Sequence, residues 1–472
     1  MTDRSSFLDG VYDFTLSNLR TLKARWRDFA GERSGISTLL SDSDADRLRR
    51  QMQDSLESRG GEVSARGRAA ALGQTYLELP AEGRARFLRL LADEFDIDRV
   101  ALASACQRIA HARTEDEKRR IERALRQALE APRVKLLTQF NALPNGVKFL
   151  VDMRAELMQL ARHDEALAAL DQDLRTLLAS WFDEGFLEVK RITWDSPAAL
   201  LEKLMVYEAV HAIRSWSDLK NRLEADRRCF AYFHPRMPDE PLIFVEVALV
   251  QGMADNIQSL LDETAPVGDP QTADTAIFYS ISNCQRGLSG ISFGDFLIKR
   301  VVDRLNAELP HLTRYATLSP LPGFRAWLEQ RSAEEGDDLV PPLERRALDA
   351  LPSAPTDHVL TNLLARPDWY EDPAVAQALK QPLLRLAARY LINEKTPRGR
   401  ALDGVAHFHL SNGARLERVN WLGDLSPKGL QQSAGLMINY LYRLQDIEEN
   451  HEAYTGEGRV TASQSVLRLL KA

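Results

Sequence analysis

From about residue 15 to 185, apolar residues recur at intervals of three and four, as in Phe87, Leu91 and Phe95 or Ile121, Leu125 and Leu129, with charges between them. That spacing predicts amphipathic helices, each with one apolar stripe to bury. Thr114 followed by Glu117 predicts a capping box ahead of the Ile121 helix, and Pro144, Asn145 and Gly146 punctuate the chain before another apolar helix. The run Leu167, Leu170, Leu174, Leu177, Leu178 and Trp181 closes the region at Asp183, Glu184 and Gly185. Residues 1–185 therefore read as an all-α bundle.

After Gly185 the pattern shortens. FLEVKRITW, CFAYFH, LIFVEVALV and AIFYSIS carry the aromatic and β-branched content of strands. Helical stretches alternate with them at Pro197 to Ile213, Phe293 to Leu309 and Pro427 to Leu444, which predicts a mixed sheet with helices. VAHFHLSNGARLERVNWL reads as a hairpin turning at Asn412 and Gly413, both tolerant of positive φ. The segment from about 330 to 400 is richer in Pro and helical pattern and reads as a helical insertion. The expectation is a two-domain α+β chain: a helical domain over 1–185 and an α/β domain over 186–472.

A chain of 472 residues is long enough for two such domains, and 44% hydrophobic with 27% charged residues fits ordinary globular proteins. A net charge of -7 argues against general affinity for nucleic acid or anionic membranes and favours a small-molecule partner. Cys106, Cys229 and Cys284 form neither a CxxC pair nor a metal-spaced group with histidine, which predicts no disulfide framework and no metal. The start MTDRSSFLDGVYDF lacks a secretory pattern, no run of 18 apolar residues follows, and LLKA is not a peroxisomal ending; the expected location is the cytoplasm.

Three stretches carry candidate chemistry. In AIFYSISNCQRGLSGISFGDFLIKRVV a strand runs into a loop with Gly287, Gly290 and Gly294 and then a helix, which is either a phosphate cradle or a glycine-containing turn. The loop also spells GISFG around Ser292, but the strand ends too early for a nucleophile elbow. In RYATLSPLPGFRAWL, Ser319 stands either as a hydroxyl at a strand end, where ligands commonly bind, or as a turn or capping serine. In VAHFHLSNGA, His407 and His409 share one side of the expected strand, with Phe408 on the other, as acid–base groups or as structural histidines. His234 reads as a strand-end residue beside a turn, and Ser289 as a loop hydroxyl.

Together ITWDSPAALLEKL, YFHPRMPDEPLIFVEVAL, FYSISNCQRGLSGISFGDFLIKRVV, LSPLPGF, FHLSNGA and GLMINYLY resemble the malonyl-CoA decarboxylase family over about residues 186 to 445. The resemblance implies a helical N-terminal domain used in oligomer contacts, giving a homo-dimer or tetramer, and a C-terminal catalytic domain of acetyltransferase-like fold. It places the CoA-binding loop on Ser289, Gly290, Ile291, Ser292, Phe293, Gly294 and Asp295. The family's catalytic serine falls on Ser319, its catalytic histidine on His409, and a neighbouring tyrosine on Tyr442. The strict acetyltransferase pattern [RQ]xxGx[GA] is absent, because Gln285 and Arg286 stand farther from Gly290 and Gly294.

The implied reaction takes malonyl-CoA to acetyl-CoA and CO2 without cofactor or metal, because the electrons released with CO2 enter the thioester carbonyl. His409 would protonate the enolate carbon, while Ser319 positions the carboxylate. The other readings of the same loop are an acyl-CoA transferase with an amine acceptor, a thioester hydrolase built on Ser292, and a non-catalytic CoA-binding scaffold.

Overall fold

A computed structural model describes residue 26 and residues 42–57, 62–182, 184–291, 297–351 and 358–471. Two compact units emerge from the chain. The first comprises residues up to Glu188 with Phe233–Leu242 and Gln285–Phe293; the second comprises Val189–Tyr232, Ile243–Cys284 and Gly294 onward. No helix among the described residues is long and apolar enough to cross a membrane.

In the first unit, helices cover Asp42–Leu56, Glu62–Glu78, Ala81–Glu94, Arg99–His111, Glu115–Ala128, Pro132–Phe140, Gly146–Leu160 and Glu165–Trp181. Their apolar faces meet around Trp26, whose ring lies 4.9 Å from Phe149 and 6.2 Å from Phe140, with Tyr76 edge-on to Phe149 and Phe87. Phe87, Leu91, Phe95, Leu167, Leu170, Leu174 and Leu178 are buried as their spacing predicts. Glu115–Ala128 departs from expectation: of its stripe only Ile121 is buried, and Leu129 just past its end is 54% exposed. This helix packs on Arg99–His111 as a hairpin, with Ile121 as its one buried residue. The Thr114 hydroxyl accepts from Glu117 N, whereas the Glu117 carboxylate reaches Arg113 N, one residue before the expected donor.

The second unit holds a mixed eight-stranded sheet among the described residues. Its strands are β1 (Glu188–Ile192), β2 (Arg227–Phe233), β3 (Ile243–Val250), β4 (Thr275–Asn283), β5 (Arg314–Thr317), β6 (Ser319–Pro320), β7 (Arg415–Asn420) and β8 (Met437–Tyr442). The order is β1-β2-β3-β4-β5-β8-β6, with β7 also on β8. Only β4 and β5 among the registered pairs run parallel. Their pairing ends at Phe278 and Thr317, with Leu318 N donating to Phe278 O as the last rung. Beyond it β4 continues along β3, while Ser319 and Pro320 stay on β8, so the two parallel strands part company at that point.

The register Tyr315–Tyr442 and Ala316–Leu441 resumes unchanged at Ser319–Ile438 and Pro320–Met437. Because side chains alternate along strands, Tyr315, Thr317 and Ser319 share one face with Tyr442, Tyr440 and Ile438. The opposite face packs a core of Ala316, Leu318, Met437 and Leu441 with Ala248, Ile277, Tyr279, Ile257 and Leu260.

Three expectations fail here. The stretch read as a strand and hairpin at 405–413 is the helix Gly404–Ser411, ended by Asn412 and by Gly413 at φ +78°. The stretch read as one helix from Pro427 to Leu444 is a short helix, Pro427–Ser433, then Ala434 and Gly435 at positive φ, then β8. β8 is buried along its whole length, so its apolar run carries no period by which to tell strand from helix. The helix read to Ile213 stops at Tyr207. The described residues of 330–400 are largely helical, with helices at Phe324–Glu335, Pro342–Asp349, Val359–Leu364 and Pro373–Ile392.

Candidate active site

Strand alternation puts the Thr317 and Ser319 side chains two residues apart on one face, and the helix Gly404–Ser411 brings His409 over them. The Ser319 hydroxyl lies 2.9 Å from His409 Nε2 and donates to Thr317 Oγ1 at 2.9 Å. His409 Nδ1 lies 2.8 Å from the Tyr442 hydroxyl, and the imidazole stacks on Tyr440 with centroids 4.6 Å apart. One assignment of protons satisfies every contact. The Tyr442 O–H donates to Nδ1, Nε2–H donates to Ser319 Oγ, and Ser319 donates to Thr317 Oγ1, which also accepts from Tyr440 N.

This cluster is dry. Ser319 is 5% exposed and His409, Tyr442 and Tyr440 are 2% or less. Burial alone pushes the His409 imidazole down to about 3 and the Tyr442 phenol well up, so both are neutral near neutral pH. His409 Nδ1 is partnered by a phenol rather than a carboxylate, which separates the arrangement from a hydrolytic triad, where a buried acid stabilises the imidazolium.

His407 does not join the site. Residues two apart on a helix point about 200° apart, and His407 Nδ1 instead lies 2.8 Å from the Tyr454 hydroxyl. His234 ends β2 at a tight turn, bridged to Met237. Cys229 and Cys284 are buried free thiols and Cys106 an exposed one. No group of three or more His, Cys, Asp or Glu side chains among the described residues forms a metal site.

The glycine loop is described as far as Ile291; Ser292, Phe293, Gly294 and Asp295 lie outside the described residues. Within the first unit, Arg154 donates to Gly287 O at 2.6 Å and Ser289 O at 3.0 Å, and Arg175 to Gly290 O at 2.7 Å. Leu288, Ser289 and Ile291 N–H groups close turns inside the loop, so these donors are not free for an anion. Gly287 has a packing reason: a Cβ there would sit 1.8 Å from Val151 O. Gly290 takes φ +75°.

Thr317 and Tyr440 escaped the sequence reading. The usable signal was period two: each stands two residues before a singled-out residue, Ser319 or Tyr442.

Residues 185–472 match the malonyl-CoA decarboxylase C-terminal domain, and residues 95–182 the N-terminal domain of the same proteins. The chain belongs to the malonyl-CoA decarboxylase family. It is 39% identical over 425 residues to the mitochondrial malonyl-CoA decarboxylase of Anser anser anser, covering 85% of this chain and 82% of that protein. The Rattus norvegicus mitochondrial enzyme is 38% identical over 83% of this chain and 82% of its own. Among solved structures, malonyl-CoA decarboxylase from Rhodopseudomonas palustris superposes with a TM-score of 0.82 at 42% identity, over 90% of this chain and 99% of that one. The family member from Agrobacterium vitis gives 0.80 at 44%, with the same coverage.

Proposed function

We propose that this chain converts malonyl-CoA to acetyl-CoA and CO2, acting as a carboxy-lyase through the Ser319–His409 pair. Membership of the malonyl-CoA decarboxylase family supports the reaction, and one observation carries the mechanism: a neutral, dry histidine stands 2.9 Å from a serine at a strand end.

Loss of CO2 leaves an electron pair that the thioester carbonyl takes up as an enolate, and acetyl-CoA forms when one proton reaches the enolate carbon. Overall the malonyl carboxylate is replaced by a proton, so each turnover consumes one. His409 rests neutral, and the substrate's own negative charge favours its protonation, since an anion within a few ångströms stabilises imidazolium. The added proton goes to Nδ1, where the Tyr442 hydroxyl turns from donor to acceptor, and Nε2 delivers its own proton to carbon, leaving a neutral imidazole. Ser319 orients the carboxylate, and Tyr442 holds Nδ1 so that Nε2 is the reacting nitrogen. Water exclusion strengthens each of these interactions at the moment charge shifts. No cofactor or metal enters the scheme.

The remaining assignments belong to the same reading. The loop Ser289–Asp295 takes the CoA phosphates. Residues 186–472 form an acetyltransferase-like catalytic domain, an assignment supported by the parting of β4 from β6 beyond Phe278 and Thr317. Residues 1–185 form a helical domain that assembles the chain as a homo-oligomer, and the protein works in the cytoplasm. Mass spectrometry of the products of malonyl-CoA tests the reaction: equal acetyl-CoA and CO2 in the presence of a chelator support it. Free malonate with CoA, an acylated acceptor, or intact substrate would each refute it.

A further inference from the structure

The helix that carries His409 and the turn that follows Ser319 are held by one carboxylate. Asp403 caps the helix, its Oδ1 accepting from Val405 N at 2.9 Å and Ala406 N at 3.0 Å. Its Oδ2 accepts from Gly323 N at 3.3 Å and from the Tyr390 hydroxyl at 3.4 Å. Gly323 lies four residues beyond Ser319, at the start of the helix Phe324–Glu335. Asp403 is 2% exposed; burial pushes its carboxyl up, opposed by hydrogen bonds from Ala406, Gly323, Val405 and Tyr390. A helix cap needs a single oxygen, which serine supplies as well as aspartate. A second buried carboxylate oxygen is costly unless it is used.

The neighbours are shaped around that second oxygen. A Cβ on Gly323 would stand 2.3 Å from the Tyr390 hydroxyl and 3.4 Å from Asp403 Oδ2, so the approach of the three groups requires glycine. Tyr390 is itself fixed, its ring packing 5.1 Å from Trp327 and 5.9 Å from Phe324.

We infer that Asp403 is a positioning residue for the reaction, fixing the His409 helix against the Ser319 turn and so setting the serine–histidine contact. The inference rests on the proposed role of that pair. Asp403→Ser keeps the cap and deletes the tie to Gly323 and Tyr390. Since misplacement by an ångström costs up to about 100-fold, its kcat should fall by about 10- to 100-fold with KM changed by less than about threefold. The Gly323→Ala variant should fall comparably by displacing Tyr390. Adding Tyr390→Phe to it removes the 2.3 Å clash and should recover at least about tenfold of the loss, while Tyr390→Phe alone costs about threefold or less. A merely capping role would leave Asp403→Ser with wild-type kcat, and that result overturns the proposal. The His409 ring 15N shifts give an activity-independent readout. In Asp403→Ser they should lose the signature of the Ser319 hydrogen bond, and unchanged shifts overturn the tie even if the wild type leaves malonyl-CoA intact.

Discussion

The second unit buries two polar clusters on one sheet, and they solve the cost of burial in opposite ways. Around Arg222, the guanidinium pairs with Asp218 at 2.7 Å and Glu246 at 3.0 Å, all three side chains 2% exposed or less. Burial pushes Glu246 up to about 7 while Arg222 pulls it back. Glu208 beside it takes two serine hydroxyls, Ser280 and Ser282, and two N–H groups. Every charge there has its partners within the chain. Among the described residues, His409 itself touches no charge, only hydroxyls and aromatic rings. A cluster complete in itself holds the fold; one that is neutral and dry has its charge supplied by what binds. That contrast, rather than burial, singles out the His409 cluster as the candidate site.

The contrast can be broken from either side. The largest effect is expected for His409→Gln, which should cut kcat by about 1,000-fold, in line with loss of a general acid, while thermal unfolding stays close to wild type. If turnover survives in a folded His409→Gln protein, the pair does not carry the chemistry. Arg222→Met should do the reverse: unpaired buried carboxylates cost about 3 to 5 kcal/mol of stability in denaturant titrations, with kcat per folded molecule little changed. A large fall in kcat there would erase the distinction between the clusters. Tyr442→Phe removes one hydrogen bond to Nδ1 and should lower kcat by about tenfold, the worth of one such bond.

A separate effect lies in pH. His409 is depressed from 6.5 to about 3 in the folded chain, so below 6.5 the unfolded chain binds a proton that the folded one refuses. Stability is therefore full above 6.5 and falls as pH drops toward 3. His211, also buried and depressed to about 3, contributes the same slope, so His409→Gln should flatten the acid limb of stability against pH without abolishing it. An unaltered limb would mean that His409 is already charged when folded.

Much of the fold was legible from spacing in the helices and from side-chain type in the strands. The helices up to Trp181 and strands β1 to β4 follow from spacing and β-branched texture. Reading failed in β8, a wholly buried run that follows closely on a helix, and in VAHFHLS, whose valine and aromatic content suggested a strand; β2 and β3, equally buried, were legible from their aromatic and β-branched residues. The overlooked sign was Asp403 two residues before Val405, a helix cap that would have turned that stretch into a helix. The same misreading paired His407 with His409. Ser319, His409 and Tyr442 were reached through motif resemblance, and the sequence could not show that β8 and a helix bring them within 3 Å. Period two points to Thr317 and Tyr440, and the capping position to Asp403, but the contacts of Thr317 with Tyr440, Tyr440 with His409 and Asp403 with Gly323 and Tyr390 join segments whose meeting no local spacing encodes.

In the proposed mechanism His409 is neutral at rest and is charged by the substrate. Imidazole 15N shifts of histidine-labelled protein, assigned by the signal missing from His409→Gln, measure this directly. Neutral shifts in the free protein near neutral pH, becoming imidazolium when a carboxylate-bearing CoA thioether binds, are the predicted result. An imidazolium in the free protein, or a ring that stays neutral in the complex, would contradict it.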